Sequence, residues 1–158
     1  MINYWIASGD FDSWYEGFDF MRRQGKMKHA VWAVTEEVSK RVQKIDKEDI
    51  VAFYVTEPVK GIIGFGRVTR VYVREKGPII WKEEELKGIT HPFTIELEIL
   101  WLAPHIYSGL SEETIPWLRP FVQAGLNRIA DPEYVKEMQK IFNLVMSYNE
   151  ILSRISHQ

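Results

Sequence analysis

From Phe93 to Leu102 the chain reads Phe-Thr-Ile-Glu-Leu-Glu-Ile-Leu-Trp-Leu, with Thr94, Glu96 and Glu98 alternating against apolar side chains and expected on the outer face. A period of two suits a strand with one face in a core, and it excludes a helix over the same residues. Such a strand needs partners, and β-branched or aromatic runs at 3–8, 29–35, 49–56, 62–73 and 78–81 supply them. Residues 57–61, Glu-Pro-Val-Lys-Gly, read as a hairpin connection. Inside the long fourth run, Gly64-Phe65-Gly66 marks either a sharp bend or a close approach by another backbone, and a small closed barrel favours the bend. These segments predict a mixed α+β fold, a small barrel of about six strands with flanking helices and a C-terminal helical extension.

The helices are announced by their caps. Asp10 or Asp12 opens a helix that buries Trp14, Phe18 and Met21 and stops near Gly25. A short helical stretch at 36–44 turns Val38, Val42 and Ile45 inward, and Lys82-Glu83-Glu84-Glu85-Leu86-Lys87 is a solvated turn of helix closed by Gly88. After Pro104 the character becomes helical, with starts at Ser111-Glu112-Glu113 and at Asp131-Pro132-Glu133. In the last helix Tyr134, Met138, Ile141, Val145, Tyr148, Leu152 and Ile155 follow a 4-3-4-3-4-3 spacing. One amphipathic helix laid across the barrel accounts for this, and a coiled-coil seam is the alternative. The expected division is a barrel at 1–104 and C-terminal helices at 105–158 that pack on it and lead towards a further domain.

At 158 residues the chain suits one domain. It has no apolar run of roughly 18 residues and no basic, cleavable leader, so neither a spanning helix nor a signal peptide is expected. Zero cysteines exclude disulfides and thiolate metal sites, and fit a cytoplasmic protein. The net charge of −2 hides an asymmetry: residues 20–76 hold 13 Lys/Arg against 7 Asp/Glu, and the rest hold 7 against 15. This pattern excludes a uniformly basic nucleic-acid binder while leaving room for one basic face.

Catalytic and metal-binding patterns are missing. His29, His91, His105 and His157 are dispersed, with no zinc-ligand spacing. There is no nucleophile elbow, phosphate loop or deaminase signature. Glu96 and Glu98 share a sheet face and form the one carboxylate pair to weigh, with edge solvation the plainer account. A binding domain without a catalytic residue, metal or cofactor is the expectation.

Two tryptophans then stand out. Trp32 lies in His-Ala-Val-Trp-Ala-Val-Thr and Trp81 ends Pro-Ile-Ile-Trp, each beside basic sequence. Strand aromatics ordinarily pack inward. A pair of indoles near cations is also what holds one unstacked nucleobase beside a phosphate backbone. Arg22, Arg23, Lys26 and Lys28 precede the first indole, and Arg70 and Arg74 precede the second; these are the candidate phosphate contacts.

The residues carry a resemblance. Asn3-Tyr4-Trp5-Ile6 followed by Asp12-Ser13-Trp14 resembles the start of an EVE domain. Val31-Trp32-Ala33-Val34-Thr35, residues 50–55, Gly64-Phe65-Gly66-Arg67-Val68, Pro78-Ile79-Ile80-Trp81 and Phe93-Thr94-Ile95 resemble, in order and spacing, a YTH domain. Both families belong to the PUA-like superfamily of small barrels. The YTH resemblance implies that Trp32 and Trp81 are two walls of an aromatic cage for N6-methyladenine, with Leu86 as the third wall and Ile89 behind it. The chain has Ala33 where many YTH domains carry Ser. The asparagine that many of them use to read adenine has no match, and Ser8 or Asp10 is its substitute.

The same resemblance implies a nucleic-acid partner carrying a methylated base. Related domains serve as N-terminal specificity modules of McrBC-type restriction systems, so DNA is favoured over RNA, with a C-terminal motor domain or partner helix attached. Three alternatives stay open. They are an EVE-type reader of modified cytosine, a PUA-like enzyme of nucleotide or RNA metabolism using Glu96 or Glu98, and an interaction domain that self-associates through the Tyr134–Ile155 helix.

Overall fold

The computed structural model of the protein describes residues 1–42, 44–123 and 125–156, so His157 lies outside the described residues. The elements are β1 (Tyr4–Gly9), α1 (Phe11–Arg23), β2 (His29–Val34), α2 (Glu36–Val42), β3 (Ile50–Val55) and β4 (Gly61–Val73), followed by α3 (Glu83–Lys87) and β5 (Phe93–Leu102). β6 (Leu110–Ser111), 3-10 turns at Glu112–Thr114 and Pro116–Phe121, β7 (Leu126–Arg128) and α4 (Pro132–Ser156) complete the chain. The α+β expectation holds. Among the described residues no helix is long and apolar enough to cross a membrane.

The strands form one curled half-barrel sheet in the order β2-β5-β4-β3-β1-β7, with β6 added beside β4. β1 and β3 run parallel and every other pair is antiparallel. β2 and β7 end the path, and among the described residues no ladder joins them. One indole spans that gap: Trp32 Nε1–H donates to the Gly125 carbonyl, 3.1 Å away and just before β7.

The sheet is covered on both faces, which is why its central strands read as nearly continuous apolar runs. Trp5, Ala7, Val51, Phe53 and Val55 join a cluster completed by Trp14, Phe20 and Met21 of α1 and Val42 of α2. The alternate residues Tyr4, Ile6, Ile50, Ala52 and Tyr54 face the other way, towards Leu118 and Met138. Asp10 caps α1 by accepting from Ser13 N–H at 2.7 Å.

Several sequence expectations need correction. Thr94 and Glu96 are buried and not on a solvated face: the Thr94 hydroxyl donates to the Pro92 carbonyl at 2.9 Å, and Glu96 is paired with Lys26 at 3.2 Å and Arg70 at 3.4 Å. Residues 78–81 are no strand. Pro78 has no N–H to give a ladder, so the segment lies within the β4–β5 connection and turns Ile80 and Trp81 into the core. The helix expected from Ser111 is two short 3-10 turns, with Pro120 inside the second. β7 draws the sheet beyond residue 104, since its three residues pair with β1. Gly64 and Gly66 allow a close approach, since a Cβ on either would stand under 3 Å from the Phe53 ring, and the ladder with β5 also shifts register between Phe65 and Gly66. α4 lies on the sheet through Met138, Ile141 and Val145, whereas Tyr148, Leu152 and Ile155 are exposed.

Candidate functional site

A cavity of about 360 Å³ opens where the start of α1, the end of β2 and the β4–β5 connection meet. Trp32 and Trp81 line it, together with Ser8, Gly9, Asp10, Ser13, Ala33, Glu83 and His91. β2 brings Trp32 there by strand alternation. Its indole stacks on Trp14 at 4.1 Å between centroids and 17° between planes. Trp14 is held in turn by its Nε1–H, which donates to the Tyr54 carbonyl at 2.9 Å.

Trp81 reaches the cavity from irregular backbone, and its Nε1–H donates to the Ser13 carbonyl at 3.0 Å. The Trp32 and Trp81 rings stand 6.0 Å apart at 86°. They are perpendicular walls, so a flat ring can stack on one indole and meet the other edge-on. Both indoles belong to the core cluster and line the cavity. The inward-packing and the site-lining readings therefore both describe them.

The remaining expected residues divide. Ser8, Asp10 and Ala33 join the tryptophans at the cavity. Ser8 donates its hydroxyl to the Val122 carbonyl at 2.6 Å, leaving its lone pairs for a ligand donor. Asp10 spends Oδ1 on the α1 cap. Leu86 is no third wall, being 94% exposed. With about 3.6 residues per turn, a helix that turns Glu84 inward points Leu86 out. Ile89 is absent from the lining as well.

His91 also lines the cavity, beside Trp81, with its ring 5.9 Å from that indole. His91 Nδ1 is 2.7 Å from Thr90 Oγ1 and 3.9 Å from Glu83 Oε1. Sequence reasoning passed over His91 and Glu83; the only signal was their position flanking the Trp81 segment.

The six candidate phosphate contacts do not form one set. Arg22 and Arg23 are exposed and both pair with Asp19. Their charge is therefore partly neutralised, and the Arg22 hydrogen bond, with the charges of both arginines, holds the Asp19 carboxyl below its usual range. Lys26 and Arg70 converge on Glu96, and the Arg70 guanidinium lies 4.1 Å over the Tyr72 ring. Burial, followed by the Glu96 charge, pushes the Tyr72 hydroxyl up. Lys28 is exposed. Arg74 is not a surface cation: it is buried in a fork with Glu84 at 2.8 Å, out of reach of a phosphate. Glu84 is likewise buried and not solvated.

No known family profile and no curated protein matches the sequence. Solved structures match it along most of its length. A hypothetical protein from Leishmania major is 16% identical with a TM-score of 0.57, over 89% of this chain and 94% of that one. Rpa0253 from Rhodopseudomonas palustris is 12% identical with a TM-score of 0.56, over 89% and 94%. The Mmi1 YTH domain is 12% identical with a TM-score of 0.55, over 92% of this chain and 98% of that one. At these identities the likeness is one of fold, and the chain has a YTH-like fold.

Proposed function

We propose that the protein binds a modified nucleobase, N6-methyladenine before others, turned out of a nucleic acid into the cavity that Trp32 and Trp81 line. The observation that carries this is the pair of perpendicular indoles, 6.0 Å apart, at an open cavity of a YTH-like fold. Stacking on an aromatic contributes about 1–3 kcal/mol per base, and burying a methyl adds about 0.8 kcal/mol. An unmethylated amine brings a further N–H, and leaving it without an acceptor costs about 1–3 kcal/mol. Together the methyl terms discriminate by tens- to hundreds-fold.

In this reading the protein is a recognition domain with no chemistry of its own, and Glu96 serves two cations and no reaction. Extracting the base from a duplex costs a few kcal/mol, offset by phosphate contacts from Lys26, Lys28 and Arg70. Arg22 and Arg23 contribute once they release Asp19. DNA is the favoured polymer, in a specificity module of a restriction or defence system.

Fluorescence anisotropy of matched DNA and RNA oligonucleotides, carrying N6-methyladenine, 5-methylcytosine or no modification, tests the proposal. Trp32→Phe and Trp81→Phe serve as folded controls. Preference for methyladenine that weakens in both variants supports the cage. Preference for methylcytosine moves the reading to an EVE-type site. Equal weak binding of every oligonucleotide ends it and returns both indoles to the core alone.

A further inference from the structure

The connection from β4 to β5, residues 74–92, carries three of the cavity's lining side chains, Trp81, Glu83 and His91. It has no strand ladder of its own. Its neck is closed where Arg74 N–H donates to the Pro92 carbonyl at 2.7 Å. From that neck the Arg74 side chain enters the loop interior. Nη1 donates to the Pro78 carbonyl at 2.9 Å and to Glu84 Oε1 at 2.8 Å. Nη2 donates to Glu84 Oε2 at 2.8 Å and to the His91 carbonyl at 3.0 Å. One guanidinium thereby holds both limbs of the loop.

Glu84 repeats the arrangement from the other side. Its carboxylate accepts from Ile80 N–H at 3.3 Å, from Trp81 N–H at 3.4 Å and from Thr90 N–H at 3.2 Å. The side chains of this pair are 1% and 0% exposed. Arg74 Cζ also lies 5.6 Å from the Trp81 ring centroid. A buried pair is poor evidence for stability, since apolar residues of similar volume often do as well. What apolar residues lack is direction. A fork with fixed donors and acceptors sets the place of a backbone that no ladder fixes.

We infer that Arg74 and Glu84 are positioning residues that hold Trp81 and His91 in register with Trp32, so that the pair sets affinity and selectivity for the modified base without touching it. This rests on the base-binding proposal above for its functional half, while its structural half stands on Trp81 alone.

The test uses the full chain labelled with 5-fluorotryptophan, with the Trp81 resonance identified by its loss in Trp81→Phe. The variants are Arg74→Lys, Glu84→Gln and the volume-conserving double variant Arg74→Met/Glu84→Leu. Arg74→Lys keeps the charge and loses the fork, and the double variant removes every ionic partner while filling the space. The expected result is a shifted or broadened Trp81 resonance with the Trp5 and Trp14 resonances unmoved. Affinity for an N6-methyladenine oligonucleotide falls about tenfold or more, and the methylated-to-unmethylated ratio falls with it. Arg74→Lys gives a smaller change in the same direction.

An unmoved Trp81 resonance in the folded double variant, or unchanged methyl preference there, overturns the inference. If the wild-type protein binds no oligonucleotide, the base-binding proposal fails, and the Trp81 resonance by itself decides whether the pair positions the indole.

Discussion

The indole of Trp32 lies over Gly9: a Cβ on Gly9 would stand 2.2 Å from Trp32 Cη2 and 2.7 Å from Cζ2. The ring cannot withdraw freely, because it stacks on Trp14 and its N–H is bound to Gly125. Gly9→Ala is therefore expected to cost about 1–3 kcal/mol through overpacking and to weaken binding of the modified base by displacing one wall. Urea denaturation with oligonucleotide titration checks both effects. A fully stable Gly9→Ala variant with wild-type affinity would show that the ring has somewhere else to go.

Acid should loosen the loop that carries Trp81. Burial alone would raise the Glu84 carboxyl, but the Arg74 hydrogen bonds and charge, with the Ile80 and Trp81 N–H groups, outweigh it and hold the carboxyl below its ordinary value. A depressed folded-state value contributes stability that is complete above the unfolded value, about 4.3. That contribution is lost as pH falls through the folded-state value. Denaturation midpoints measured from about pH 6 down to about pH 3 should fall more steeply for the wild type than for Glu84→Gln. Parallel slopes would remove Glu84 from the account.

Leu86 gives the opposite expectation. Its side chain is 94% exposed, so Leu86→Ser should change stability by no more than about 0.5 kcal/mol and leave the methyl preference intact. Thermal unfolding and the same oligonucleotide titration decide. Loss of methyl selectivity in that variant would restore Leu86 as a third wall.

Asp49 ties the first strand down. It is 2% exposed and accepts from Asn3 N–H at 3.0 Å, Trp5 Nε1–H at 3.1 Å and Asp46 N–H at 3.1 Å. Asp49→Ala strands these donors, and the expected cost is about 3 kcal/mol or more, read as a lowered urea midpoint. Asp49→Asn keeps an acceptor and should lose less. Equal stability of Asp49→Ala and wild type would mean that water replaces the carboxylate.

Much of the sheet was legible in the chain because its cause is local. Alternation at Phe93–Leu102, β-branched and aromatic residues at 50–55, and the Asp10 cap each act within a few residues of themselves. β7 was not legible, because three residues show no period and its pairing with β1 joins residues far apart in sequence. The misplacement of Thr94 and Glu96 has the same origin. Alternation shows that two faces differ, and only the covering elements decide which of them meets water.

The sequence by itself determined the α+β class, the long strands and the inward stripe of α1, and it marked Trp32 and Trp81 as residues to weigh, since period, caps and turn residues are set by neighbours along the chain. Tertiary structure alone decided that those indoles meet at a right angle, that His91 and not Leu86 lines the cavity with them, and that Arg74 is buried against Glu84. Those outcomes depend on which segments approach in space, and on the desolvation of charges whose partners the sequence order leaves unmarked.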